Sequence, residues 1–500
     1  MRATGTPRRL QPSRWLSGAI AGLTLGFGLV ALLTVRSAHA ADAKPVFRAG
    51  AATSNISPPL GTSINGNMHD HPVAHIHDEL HARALVLDDG KTQLALVVCD
   101  NCMIPREVIT EAKKLIQDRS KLAPDHVLIS ATHAHSCPTA GSVFQSDPDP
   151  AYLKFLAVRI ADAVQRALNN REPASIGWGA GKNADQVFNR RWKMKPGTVP
   201  ANPFGHTTDR AKMNPGVGSP NLVEPAGPTD PEVPVVSVRS ASGRPIALLA
   251  NYSLHYVGGV GAGHASADYY GAFADRTKQL IEGDRLDPPF VAMMSNGTSG
   301  DINNIDFRKA RKPAKPYERI RLVADELATE AVRVARAIEY RNELTLDARA
   351  ADLKLGVRRP NPTELAEAEA ILARAKPGPD LKSINEIYAR ESVLLSKYPE
   401  TVDVNVQALR IGDLAIVAIP CEVFVEIGLK LKAESPIKPT FTIELANGYN
   451  GYLPTKEQHE LGGYETWRAR SSYLEVDAAS KITAKALDLL QELAKARPAH

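Results

Sequence analysis

The sequence predicts an α/β fold, a mixed β-sheet core flanked by helices, and three observations carry that prediction. Short apolar runs rich in β-formers alternate with amphipathic stretches along most of the chain. One stretch, 316–339, places Ile320, Val323, Ala324, Leu327, Ala331, Val334, Ala335 and Ile338 on a single helical stripe. Several apolar runs end abruptly in polar residues, as expected where the strand ends of an α/β sheet carry a binding site.

Taken in order, the strand candidates are "ARALVLDD", "TQLALVVCD", "HVLISAT", "ASIGWG", "VPVVSV", "PIALLANYS" and "FVAMMSNG", several of them apolar enough to be buried on both faces. Pro316 suits the first turn of the 316–339 helix. Residues 361–398 read as a helical insertion broken at Pro377-Gly378-Pro379. "VDVNVQALRIGDLAIVAIP" reads as a hairpin turning at Gly412-Asp413 and feeding the helix "EVFVEIGLKLK". Residues 195–234 hold nine prolines, too many breakers for a core element. That proline-rich insertion is either a solvated loop or a lid over the site.

Five hundred residues of 43% hydrophobic composition are ample for a large core. The formal net charge is only +5, and several positive charges sit in the first fourteen residues. A nucleic-acid footprint is therefore excluded as the main function. No fixed-period repeat and no heptad pattern is present.

The N-terminus has the order of a secretory signal peptide. Arg8, Arg9 and Arg14 precede "WLSGAIAGLTLGFGLVALLTV", and Ala38-His39-Ala40 then matches an A-x-A cleavage site. Residues 1–40 are expected to be removed and 41–500 to form one exported, periplasmic or secreted, domain. An uncleaved anchor is the alternative, since the apolar run is nearly long enough to span a bilayer. Export would place the four cysteines in an oxidising compartment. Cys99 and Cys102 form C-x-x-C, but no second such pair completes a four-cysteine zinc site.

The chemistry concentrates at strand ends. Thr132-His133-Ala134-His135 follows one apolar run, Asn251 to His255 a second, Ser295 to Asn304 a third, and Glu422 a fourth. Residues at i and i+2 of an extended chain face the same way, so His133 and His135 can enter one site. Metal ligation, acid–base catalysis and an ordinary turn all remain open for that pair. Two histidines and a glutamate meeting at strand ends would suit zinc, which accepts imidazole nitrogen and carboxylate oxygen. "HDHPVAHIHDELH", residues 69–81, is a secondary metal candidate through Asp70, His75 and His77. Tyr449, Tyr452 and Tyr464 fall in irregular structure after the strand "TFTIEL", where packing is the default role.

Together these motifs resemble the neutral/alkaline ceramidase family, zinc amidases that cleave N-acylsphingosine. The similarity runs in order through "RAGAATSNISPP", "HDELHARALVL", "THAHSCP", "VFNRRW", "NYSLHYVGG", "SADYYGAFA", "IPCEVFVEIG" and "GYLPTKEQHELGGYE", covering about residues 47–490. Carried over by position, the resemblance implies His133, His255, Glu422 and Tyr452 as Zn2+ ligands. It implies His135 as the catalytic, non-ligand histidine, with Arg190 and Tyr464 holding the scissile carbonyl. Asp301 or Asp268 would orient a ligand histidine from behind.

The chain departs from the family at three points. Asn303 stands where the family has a serine, which argues against a covalent serine route; Ser299 would be the substitute if the loop differs. The family's immunoglobulin-like C-terminal domain is expected to be missing, which bears on contact with lipid surfaces. Cys137 and Cys421 replace two motif glycines, and a disulfide between them would tie two ligand loops together. The implied activity is hydrolysis of an amide, with a ceramide-like N-acyl lipid the leading substrate and peripheral membrane contact its route of access. The alternatives are a zinc esterase, lactonase or sugar-amide deacylase, and a non-catalytic zinc-binding envelope protein.

Overall fold

The structure is a computed structural model and describes residues 46–496 apart from Pro377 and Pro379. The signal-peptide expectation, residues 1–40, lies outside the described residues. Eight strands form the larger sheet: β1 (Arg48–Asn55), β2 (His81–Asp88), β3 (Gln93–Cys99), β4 (Val127–Ala131), β5 (Glu172–Lys182), β6 (Glu232–Ser240), β7 (Pro245–Tyr252) and β8 (Val291–Asn296). Their spatial order is β8-β7-β6-β5-β1-β2-β3-β4. The sheet is mixed: β7 pairs in parallel with β8 and β3 with β4, and the remaining neighbours are antiparallel.

A second sheet, which the sequence reading did not separate from the first, contains β9 (Leu346–Gly356), β10 (Thr401–Ile411), β11 (Leu414–Ile419) and β12 (Thr440–Glu444) in that order. Period-two alternation explains how the two sheets stack. In β3, Ala95, Val97 and Cys99 enter one core while Leu94, Leu96 and Val98 enter another. In β11, Leu414, Ile416 and Ala418 join that second core, and Ala415, Val417 and Ile419 face a third. The second core is therefore the shared interior between two sheets packed face to face.

Helices cover the outer faces. α1 (Arg106–Ser120), α2 (Pro150–Asn169), α3 (Asp268–Leu280) and α4 (Glu318–Ala337) pack on the large sheet. α4 is the predicted stripe, with Ile320, Val323, Leu327, Ala331 and Val334 all buried; it starts two residues after Pro316. α5 (Pro362–Arg374) and α6 (Ile384–Leu395) form the predicted insertion, and each opens with a capping box, Asn361–Glu364 and Ser383–Glu386. α7 (Val425–Glu434), α8 (Lys456–Leu461) and α9 (Ala478–Lys495) follow, and α9 buries Ile482, Ala486, Leu489, Leu490 and Leu493 against the small sheet. Among the described residues no helix is long and apolar enough to cross a membrane.

The proline-rich insertion is more ordered than its composition suggests. Ala211–Met213 and Leu222–Pro225 flank Arg191–Met194 in a three-stranded sheet. Most of its prolines sit in turns and loops or, as Pro225, at the end of an outer strand, where proline removes no ladder hydrogen bond; Pro234 alone lies within a strand, the third residue of β6. The insertion thus braces the strand that follows Arg190.

Candidate metal centre

Loops after β3, β4, β7, β8, β11 and β12 meet at one place. Three features draw them together. β12 and the residue after it bond to both ends of the large sheet, through Asn251 Nδ2 of β7, the strand next to one edge, donating to Thr442 O at 3.2 Å and Ala131 N of the edge strand β4 donating to Leu445 O at 3.1 Å. Glu422–Val423 pairs in parallel with Tyr452–Leu453. Gly300 N donates to Val423 O at 2.9 Å.

His133 and His135 do meet in this site, but not by strand alternation. The strand stops at Ala131, and His133 takes the left-handed conformation at φ 72°. This is a conformation worth roughly 1–3 kcal/mol of strain, held here by His133 N donating to Asn101 O at 2.9 Å. The turn aims His133 inward, where it is 1% exposed.

The hydrogen bonds fix the chemistry of the imidazoles. His133 Nδ1 lies 2.8 Å from Cys102 O, and His255 Nδ1 lies 2.9 Å from Ser299 O. A carbonyl only accepts, so both Nδ1 atoms carry the proton and both Nε2 atoms present lone pairs. Yet those Nε2 atoms are 2.9 Å apart, and the buried Glu422 Oε2, which has no hydrogen bond, lies 3.1 Å from one and 3.7 Å from the other. Three facing lone-pair donors require a positive charge among them, met either by a proton on His133 or by a metal ion. Donors bound tetrahedrally to zinc are about 3.3 Å apart, given bonds of about 2.0–2.1 Å. The observed spacings bracket that value, so these residues fit the ion.

The electrostatics agree. Burial opposes a charge on His133, but the Glu422 carboxylate outweighs it and holds the imidazole well above its ordinary value. Burial, Arg190 and His133 push His255 well below its ordinary value, and burial, His133 and Arg190 do the same to His135. Burial also works against the charge of Glu422, which His133 and Arg190 nevertheless keep below the usual carboxylate range.

His135 Nε2 is 3.1 Å from His133 Nε2, and its ring stacks on Tyr256 at 3.8 Å between centroids. Gly66, at φ 101°, packs so closely that a Cβ there would lie 2.4 Å from His135 Cγ. Cys102, His133 and His135 also lie within ligand range of one another, but the nitrogen that His133 turns toward Cys102 Sγ, 3.8 Å away, is the protonated one. Glu422 Oε1 accepts from Tyr449 at 2.9 Å, which leaves Oε2 facing the histidines.

Arg190 Nη2 donates to Tyr452 Oη at 3.0 Å and to Gly300 O at 2.8 Å, and its Nε donates to Glu465 Oε1 at 3.0 Å. Nη1 makes no hydrogen bond among the described residues. Tyr464 stands edge-on to Tyr452 with centroids 5.8 Å apart. All seven residues singled out by the resemblance therefore lie in one site.

Several other expectations are corrected. Cys137 and Cys421 are free thiols in different cores, one under the helices of the large sheet and one outside the small sheet, so no disulfide joins them. Asp301 and Asp268 do not orient a ligand histidine; backbone carbonyls do. Asp301 accepts from Val425 N and Asn189 Nδ2, and burial pushes it up to about 7. Asp268 accepts from Val257 N, Gly258 N and Tyr269 N at the start of α3. The His-rich segment forms no metal-ligand group among the described residues: His77 stacks on Tyr317 at 3.6 Å, His75 meets His264 edge-on, and Asp70 accepts from Ser63. Asn303 donates to Asn214 Oδ1 at 2.8 Å, and Ser299 Oγ is tied to Glu444 at 2.6 Å behind His255.

Four site residues escaped the sequence reading. Tyr449 was visible but indistinguishable from a packing tyrosine. Glu465 neutralises both Arg190 and Arg191, at 3.0 and 2.6 Å, and adjacent buried arginines are the signal that such an acid must exist. Tyr256 and Gly66, which clamp His135, left no local signal.

The family model for neutral/alkaline non-lysosomal ceramidase, N-terminal, matches residues 57–309, just over half of the chain. The structure is similar to a crystal structure of neutral ceramidase from Pseudomonas aeruginosa, with a TM-score of 0.69 and 18% identity over 91% of this chain and 75% of that one. It is equally similar to a ceramidase complexed with C2, with a TM-score of 0.68 and 17% identity over 91% and 76% of the two chains. These likenesses establish the fold, and the family match establishes descent: the chain belongs to the neutral/alkaline non-lysosomal ceramidase family, whose chemistry is amide hydrolysis.

Proposed function

We propose that this chain is an exported zinc-dependent amidohydrolase, with a ceramide-like N-acyl lipid as the leading substrate. The observation that carries the reading is the convergence of His133 Nε2, His255 Nε2 and Glu422 Oε2, three buried lone-pair donors with their outer atoms already committed. Tyr452 is the fourth ligand in this reading: burial and Glu422 hold its phenol well above the ordinary value, Arg190 opposes them by donating to its oxygen at 3.0 Å, and a metal ion would add to that opposition. Zinc, when bound, would supply a Lewis acid that brings the pKa of a coordinated water to about 7.

The protein's own groups do the rest. His135, kept neutral by burial and by His133 and Arg190, accepts the proton from water at Nε2 and delivers it to the departing amine nitrogen. Arg190 Nη1 and the Tyr464 hydroxyl donate to the carbonyl oxygen as negative charge develops on it, worth about 3–4 kcal/mol for one well-placed donor. Glu465 holds the Arg190 fork in place. With Ser299 committed to Glu444 and an amide at Asn303, neither position offers a serine poised as a nucleophile, which supports direct attack by water.

Export rests on the charged, apolar and small-residue order of residues 8–40. The test is fatty-acid release from dispersed N-acylsphingosine by the protein beginning at Ala41, with a chelated sample as control. Chelator-sensitive release supports the reading. No release from that lipid, with hydrolysis of simpler amides or esters instead, would move the substrate away from ceramide.

A further inference from the structure

We infer that Glu444 is a positioning residue that locks the backbone behind the metal ligands, an inference that rests on the zinc reading above. Glu444 is the last residue of β12 and is completely buried. A carboxyl at the end of a fully buried, otherwise uncharged strand is costly unless its oxygens are bonded. No cationic side chain forms an ion pair with it among the described residues. Its partners are instead three donors on two separate loops. Oε2 accepts from Val423 N at 2.6 Å and Ser299 N at 3.2 Å, and Oε1 accepts from Ser299 Oγ at 2.6 Å.

One loop carries a ligand and the other holds one in place. Ser299 O receives the Nδ1 proton of His255, which selects the tautomer that leaves Nε2 free. Val423 follows Glu422 and pairs with the strand of Tyr452. The chain just beyond Glu444 bonds to β4, through Asn447 N donating to Ile129 O at 2.8 Å, and β4 leads to His133. One carboxyl thus clamps the supports of His255, Glu422 and Tyr452 at the end of a strand that also borders the support of His133. This is the role a disulfide between Cys137 and Cys421 would have played. Partners behind the ligands typically change metal affinity by about 10–100-fold.

The test is zinc affinity, measured by competition with a chromophoric chelator, for the wild type, Glu444→Asp and Glu444→Gln. Aspartate keeps the carboxyl but withdraws the oxygens by about 1.5 Å, out of reach of both loops. Glutamine keeps the reach: its oxygen accepts from the two backbone amides and its nitrogen donates to Ser299 Oγ. Glu444→Asp is expected to weaken zinc at least about tenfold, and Glu444→Gln to stay within about threefold of wild type. A merely structural glutamate would lower the melting temperature of the zinc-free protein and leave zinc affinity unchanged. Wild-type affinity in Glu444→Asp, or equal weakening in both variants, overturns the inference. If Glu444→Asp does not fold, Ser299→Ala replaces it: loss of the Oγ bond should weaken zinc about threefold, and unchanged affinity refutes the clamp. A wild type that holds no zinc overturns the metal reading itself, together with the clamp.

Discussion

Replacing His135 with alanine separates proton transfer from metal binding. His133, His255 and Glu422 keep their mutual spacings of 2.9, 3.1 and 3.7 Å without His135, and none of their outer hydrogen bonds involves it. Zinc affinity should therefore change by less than about threefold, under about 0.7 kcal/mol. Turnover should fall much further. A positioned general acid–base contributes about 10²–10⁴-fold, or about 2.7–5.4 kcal/mol of barrier at 1.36 kcal/mol per tenfold. The assay is kcat for amide cleavage beside zinc content on the same samples, with His133→Ala losing both. Zinc loss in His135→Ala would refute the division of roles and make His135 a ligand.

Three further outcomes follow from the geometry. Gly66→Ala at φ 101° drives a methyl against the His135 ring, so kcat should drop at least about tenfold with zinc retained; unchanged kcat would show that the ring need not be held there. Glu465→Ala leaves Arg190 and Arg191 buried without their partner, and denaturant titration should show a loss of about 3–5 kcal/mol; a loss below about 1 kcal/mol would mean that solvent reaches the pair. His459 is pushed down to about 3 by burial, then by Arg358 and Arg191. The unfolded chain takes up that proton below about pH 6.5, so the contribution of His459 is complete above that pH. It is lost as pH falls toward 3, at up to about 1.4 kcal/mol per pH unit, and His459→Gln should flatten the slope. Parallel slopes for the two proteins would contradict the buried neutral imidazole.

The sequence displayed what is local. Runs such as Val127–Ala131 and Val291–Asn296 announce buried strands, and the stripe from Ile320 to Ala335 announces α4, because side-chain periodicity is a nearest-neighbour property. Polar residues directly after such runs nominated His133, His255 and Glu422. The fold hid what depends on partners tens to hundreds of residues away. The stacking of two sheets, the φ of His133, the Cys102 and Ser299 carbonyls behind the histidines and the acid between Arg190 and Arg191 are all contacts between distant segments. The Cys137–Cys421 pairing failed for the same reason. Both thiols flank site residues, but each side chain turns into its own core. The His-rich segment shows the converse, since density of histidine along the chain says nothing about convergence of lone pairs.

The central claim is that His133, His255, Glu422 and Tyr452 hold a catalytic zinc. Zinc content per chain, measured on wild type and His255→Ala with amide hydrolysis followed on the same samples, tests it most directly. The account predicts one zinc per wild-type chain, none in the variant, and hydrolysis that tracks the metal. Amide hydrolysis at the wild-type rate in a His255→Ala sample free of zinc would contradict it.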